Sequence, residues 1–157
     1  MTGPTNAFDE ILQAIAEEYR ALTPQISGLR APGSNYLQLD AGGKAAHYEW
    51  KVLHGPRRHI EVALHFEAPE PQENDSALER VMEGGDAAIR AGALTPFKSG
   101  RWGGKWTRAA FQVEFADTPD EEPIKRSAEL MKLLVERTYP RVSSLLEASA
   151  RIGWPAA

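Results

Sequence analysis

Three stretches of the chain alternate strictly between apolar and polar positions. In the first, Tyr48, Trp50 and Val52 share one side, and His47, Glu49 and Lys51 share the other. In the second, Ile60, Val62, Leu64 and Phe66 lie opposite His59, Glu61, His65 and Glu67. Successive strand side chains point to opposite faces, so a period of two predicts a half-buried antiparallel hairpin over Ala45–Phe66. Its turn falls at His54-Gly55-Pro56-Arg57, where the fixed φ of proline fits. The third stretch, Lys105–Ala116, places Thr107, Ala109, Phe111, Val113 and Phe115 inward. Trp106, Arg108, Gln112 and Glu114 fall on its other side. A shorter strand is expected at Asn35–Asp40, with Leu37 and Leu39 inward.

Elsewhere the apolar residues recur at helical spacing. Phe8, Ile11, Leu12, Ile15, Tyr19 and Leu22 make one stripe. Asn6 caps that helix and Pro24 ends it. Ser76-Ala-Leu-Glu79 is a capping-box pattern, which predicts a second helix over Leu78, Val81, Met82 and Ile89. That helix is interrupted at Gly84-Gly85 and ends near Gly92. The acidic segment before it, EAPEPQEND, reads as a surface connection, and Leu94–Gly104 as the least regular stretch. A third helix is expected from Ile124 to about Ala150, with a kink or short break near Tyr139 caused by Pro140.

The resulting order is α-β-β-β-α-β(β)-α. It predicts one α+β domain over residues 1–157, with 1–5 as a flexible lead. The antiparallel sheet has four to five strands, with the helices packed on one face. The outer face of the hairpin is then expected to be wet. Length supports a single core, and the 42% apolar and 25% charged fractions are ordinary for a globular chain. No stretch is long and apolar enough for a membrane helix, and the N-terminus lacks the pattern of a secretory signal. Absence of cysteine excludes disulfides, thiolate metal sites and cysteine nucleophiles, and fits a cytoplasmic location. A net charge of −4 argues against bulk attraction to nucleic acid.

Three constellations can carry chemistry. If Val52 opposes Ile60, then Lys51 opposes Glu61 and His47 opposes His65, with Glu49 and Glu67 on the same face. Two imidazoles and two carboxylates in reach of one ion suit zinc or a similar metal. Asp40, Glu49 and Lys51 match the acidic residue and Glu-x-Lys strand of metal-dependent nucleases, although Leu39 replaces the usual proline. Lys98, Arg101, Trp102, Lys105, Trp106 and Arg108 join with Arg57 and Arg58 as the one concentration of positive charge. Arginine and tryptophan suit phosphate contact and base stacking, and equally a protein hot spot. No Gly-x-Ser-x-Gly, Walker or dinucleotide fingerprint is present.

The runs His47-Tyr48-Glu49-Trp50, Arg58-His59-Ile60-Glu61-Val62-Ala63-Leu64 and Arg108-Ala109-Ala110-Phe111-Gln112-Val113 resemble a bacterial domain of unknown function. That domain is often appended C-terminally to restriction-endonuclease-like proteins. The resemblance runs from the first helix to the last and carries over no catalytic residue. The element order is also similar to type III secretion chaperones, which are small, acidic, dimeric and non-enzymatic. Together these imply a non-enzymatic binding or accessory module of the bacterial cytoplasm. It needs no cofactor, a protein partner is favoured over nucleic acid, and a homodimer fits. The competing readings are a nuclease using Asp40, Glu49 and Lys51, and a nucleic-acid binder using the basic Arg/Trp loop.

Overall fold

The structure is a computed structural model that describes residues 7–152, apart from 27, 31–32, 44, 56, 84–88, 90–94 and 118. Its elements in chain order are α1 (Ala7–Ala21), β1 (Tyr36–Asp40), β2 (Ala46–His54), β3 (Arg58–Phe66), α2 (Pro71–Met82), β4 (Phe97–Trp102), β5 (Trp106–Glu114) and α3 (Glu121–Ile152). The fold is α+β. Five antiparallel strands lie in the order β1-β2-β3-β5-β4.

Strand parity sets the layers. Leu37, Leu39, Tyr48, Trp50, Val52, Ile60, Val62, Leu64, Phe66, Ala109 and Phe111 are all buried on one face. Each large apolar side chain buried there contributes roughly 1.5–3 kcal/mol of transfer free energy. The helices cover this face. Tyr19 of α1 meets the Trp50 ring edge-on, centroids 5.0 Å apart. Thr107 donates to the Asn74 carbonyl of α2 at 2.9 Å. Trp50 Nε1 donates to the Ser127 carbonyl of α3 at 3.0 Å. The hairpin register is the one inferred from parity, with Val52 opposite Ile60, Lys51 opposite Glu61 and His47 opposite His65.

Several local expectations need correction. Helix α2 begins at Pro71, not at the Ser76 capping box, and Ser76 lies exposed in mid-helix. Proline at the first helical position loses no hydrogen bond and has the right φ, so Pro71 starts the helix inside the supposed connection. Asn74 then locks the junction, exchanging hydrogen bonds with Ala68 and donating to the Lys105 carbonyl. The stretch read as irregular contains strand β4, with the positive φ of Gly100 inside it. A short edge strand carrying glycine and lysine has little apolar alternation to read. Helix α3 starts at Glu121 and runs unbroken through Pro140. Pro140 and Glu136 both lie on the exposed side, where water satisfies the carbonyl that proline leaves unbonded. The expected cap at Asn6, the lead 1–5, the interruption at Gly84-Gly85 and the end near Gly92 all fall outside the described residues.

Candidate functional site

The outer face of the sheet is not wet. His47, Glu49, Glu61 and His65 are 4%, 6%, 1% and 1% exposed. Parity placed them correctly, but it said nothing about what folds over them. The cover comes from long side chains of neighbouring strands. Trp102 of β4 stands edge-on to His65 at 5.0 Å. Lys51 and Arg108 lie over the Trp102 ring at 5.8 and 5.3 Å. From the β1 side Gln38 reaches both His47 and Glu49.

At the centre, the His47 and His65 rings stack with centroids 5.0 Å apart and planes 14° apart. Glu49 sits between them, Oε1 3.6 Å from His47 Nε2 and Oε2 3.3 Å from His65 Nε2. One ligating atom from each of His47, Glu49 and His65 lies within 4.8 Å of the others. Glu67 stands at the rim, 3.9 Å from His47 Nε2. Glu61 Oε1 is 3.9 Å from His65 Nε2 but is held by Arg108 at 2.7 Å.

The amide of Gln38 has a fixed orientation. Arg30 donates to its Oε1 at 3.1 Å, which leaves Nε2 to donate to Glu49 at 3.1 Å and to His47 Nε2 at 3.2 Å. His47 Nε2 is therefore the acceptor, its one lone pair taken by the Gln38 amide. Neither His65 nitrogen has a hydrogen-bond partner among the described residues. The 3.3 Å approach to Glu49 is a proximity without hydrogen-bond geometry.

The electrostatics follow from burial. Desolvation pushes the His65 imidazolium down to about 3, against the pull of Glu49, so the ring is neutral near pH 7. Desolvation pushes the Glu49 carboxyl up, but the His47 and His65 rings and the Gln38 amide outweigh it and hold it below the usual range. Glu61 is held above that range by burial, with Arg108 opposing. Glu67 is also raised by burial, with His47 opposing.

The nuclease trio is not assembled. Asp40 is exposed and turned to Arg30 and to its own turn at Gly42. Glu49 lies between the histidines, and Lys51 is over Trp102.

The basic residues divide into two places. Trp102 and Trp106 face each other across the β4–β5 turn, ring centroids 5.4 Å apart and both half-buried. Lys105 lies 5.9 Å from the Trp106 ring centroid. Arg57 and Arg58 sit at the opposite end of β5, paired with Glu114 at 3.4 Å and Asp117 at 3.3 Å. The two groups therefore do not form one patch. Arg101 is tied to Asp75 at 2.6 Å, and Arg108 to Glu61. Lys98 and Lys105 are exposed, and neither meets a carboxylate among the described residues.

Sequence reading missed Gln38, Arg30 and Asp75. The pairing of Gln38 with Glu49 needed the β1–β2 register, and the reach from Arg101 to Asp75 needed α2 to start at Pro71.

No helix among the described residues is long and apolar enough to cross a membrane. No family model matches the chain. No curated protein matches it either. Among solved structures it is similar to YbjN from E. coli, described as a candidate transcription regulator. The two share 12% identity over 93% of this chain and 95% of that chain, with a TM-score of 0.45. A likeness of that depth assigns neither family nor function.

Proposed function

We propose that this is a non-enzymatic binding domain that takes a protein partner at the Trp102–Trp106 corner of its outer sheet face. The observation that carries this reading is the pair of half-buried tryptophans, 5.4 Å apart, at the end of the β4 edge. Tryptophan dominates interface hot spots because it buries a large, rigid surface at low entropic cost. Beside the pair, Lys98 and Lys105 are exposed and meet no carboxylate among the described residues, so the partner surface is acidic. The other sheet edge does not compete. There β1 is capped by a bridge from Leu29 to Leu39 and by backbone bonds from Arg30 to Gln38 and from Asp40 to Gly28.

A nucleic-acid ligand fits less well. Each of Arg57, Arg58, Arg101 and Arg108 already meets a carboxylate, and phosphate binding would have to break those pairs. The nuclease reading is favoured less, since Asp40, Glu49 and Lys51 engage three different partners.

The test is site-specific photo-cross-linking in the native host, with a photoreactive phenylalanine at Trp106 and a control at Arg57. The expected result is a discrete protein adduct from Trp106 only, weakened by Lys98→Glu with Lys105→Glu. With the captured partner purified, Trp102→Ala should weaken binding by about 30-fold, the scale of a hot-spot residue. Adducts to nucleic acid alone, or the same adduct from Arg57, would overturn the assignment.

A further inference from the structure

The His47–Glu49–His65 cluster goes beyond that reading and does not depend on it. We propose that His47 Nε2, His65 Nε2 and the Glu49 carboxylate hold a divalent first-row transition-metal ion, zinc in the first instance, with Glu67 placed for the fourth position.

Four observations converge. The three ligating atoms already lie within 4.8 Å of one another. Tetrahedral bonds of about 2.0–2.2 Å put ligand atoms about 3.4 Å apart, so the widest pair closes by about 1.4 Å when the ion enters. The His47 tautomer is preset, because Nε2 accepts from the Gln38 amide and so carries no proton; an ion takes over that lone pair when the hydrogen bond is given up. Gln38 also donates to Glu49 Oε1 and is itself fixed by Arg30, so the carboxylate ligand has a partner in the outer layer. His65 is 1% exposed with neither nitrogen hydrogen-bonded among the described residues. A buried imidazole without a partner has lost its water and gained nothing in exchange, and an ion at Nε2 would supply the missing interaction.

Charge and donor type select the metal. Glu49 is a buried carboxylate whose direct neighbours are two imidazoles and an amide, with no arginine or lysine paired to it among the described residues. Glu61, by contrast, already has Arg108. A dication held by Glu49 and Glu67 brings the local charge to zero. Two imidazole nitrogens with carboxylate oxygen suit zinc and its neighbours, whereas calcium and magnesium take oxygen ligands throughout. The ion has a route in from the rim, where Glu67 and Gln38 remain partly exposed.

The experiment uses the chelator-stripped full chain, titrated with Zn²⁺ by calorimetry and with Co²⁺ by visible absorption. The expected result is one ion per chain, a tetrahedral Co²⁺ band, and a melting temperature that climbs with Zn²⁺ concentration. His47→Gln and His65→Gln should each abolish the band. Should either variant fail to fold, two carboxylate substitutions decide. Glu49→Gln should weaken affinity by more than the cost of losing an outer-layer partner, about 10–100-fold, and Glu67→Gln should weaken it with an unchanged circular dichroism spectrum. Absence of saturable binding would overturn the proposal. So would unchanged affinity in both carboxylate variants, or a band that survives His47→Gln and so belongs to His54 and His59 at the turn.

Discussion

Trp102 of β4 stands edge-on to His65 of β3, with ring centroids 5.0 Å apart and planes at 90°. This contact joins the β4 edge of the sheet to one of the two most enclosed polar groups described on its outer face, the other being Glu61. Trp102 is half-buried, so its truncation should cost less than a core tryptophan. We expect Trp102→Ala to destabilise by about 2 kcal/mol and Trp102→Phe by about 1, below the 3–5 kcal/mol of a fully buried aromatic. Urea denaturation measures both. Modification by diethylpyrocarbonate adds a readout of the cover itself. His65 should react slowly in the wild type and faster in Trp102→Ala, and equal rates would show that other groups shield it.

The Asp75–Arg101 pair gives a pH dependence with a defined sign. The bidentate hydrogen bond from Arg101 holds the Asp75 carboxyl below its ordinary value of 3.8. A carboxyl lowered on folding adds stability that is fully present above the unfolded value and is lost as pH falls through the folded one. The melting temperatures of wild type and Asp75→Asn should therefore differ at neutral pH, and the gap should narrow as pH falls below the ordinary carboxyl value of 3.8. Both groups are exposed, so the gap should be small and should shrink with salt. A gap that does not narrow with acidification would assign it to helix α2 instead of to the ion pair.

How much of this was legible can be judged at single residues. The period of two placed Tyr48, Trp50, Ile60 and Val62 in the core and His47 beside His65, because a one-residue slip would have reversed every side chain. The same parity made the outer face look wet, because parity gives direction and not cover. Trp102 and Arg108 fold over that face from strands more than 30 residues further along the chain, and local pattern holds no trace of it. The start of α2 was missed for a different reason. Ser76 and Glu79 have the right spacing for a cap, but Pro71 starts the helix a turn earlier and Asn74 ties it to β5. Arg57 and Arg58 were grouped with Trp102 by charge alone, and a strand of nine residues separates them.

Thr23 offers a stabilising substitution. It follows α1 with φ of +53°, a left-handed conformation that costs a β-branched residue about 1–2 kcal/mol. Its N–H still closes onto the Arg20 carbonyl at 3.1 Å, so the turn is well formed and the conformation is required. Pro24 blocks the alternative of one more helical residue. Thr23→Gly removes the strain and adds some unfolded-state entropy, for an expected net gain of about 0.5–1 kcal/mol. Thr23→Ala should gain less, since its Cβ meets the same clash. Thermal melts of the two variants test the order, and equal gains would mean that the branched side chain, not the φ angle, is the source.

The Tyr48–Thr138 pair should respond unequally to removal of its two hydroxyls. The oxygens lie 2.8 Å apart, deep between the sheet and α3. Thr138 also donates to the Leu134 carbonyl at 2.6 Å, which uses its single proton, so Tyr48 is the donor to Thr138. Burial pushes the Tyr48 phenol well above its ordinary value, and it keeps its proton throughout the accessible range. In Tyr48→Phe, Thr138 retains its bond to Leu134, and the loss is one neutral hydrogen bond, about 1 kcal/mol. In Thr138→Val, the Tyr48 hydroxyl is left buried with no acceptor, which costs about 1–3 kcal/mol. The double variant should be nearly as stable as Tyr48→Phe alone, because the stranded hydroxyl has gone. A double-mutant cycle by chemical denaturation measures the coupling, and purely additive losses would mean that the tyrosine hydroxyl finds another acceptor when Thr138 is removed.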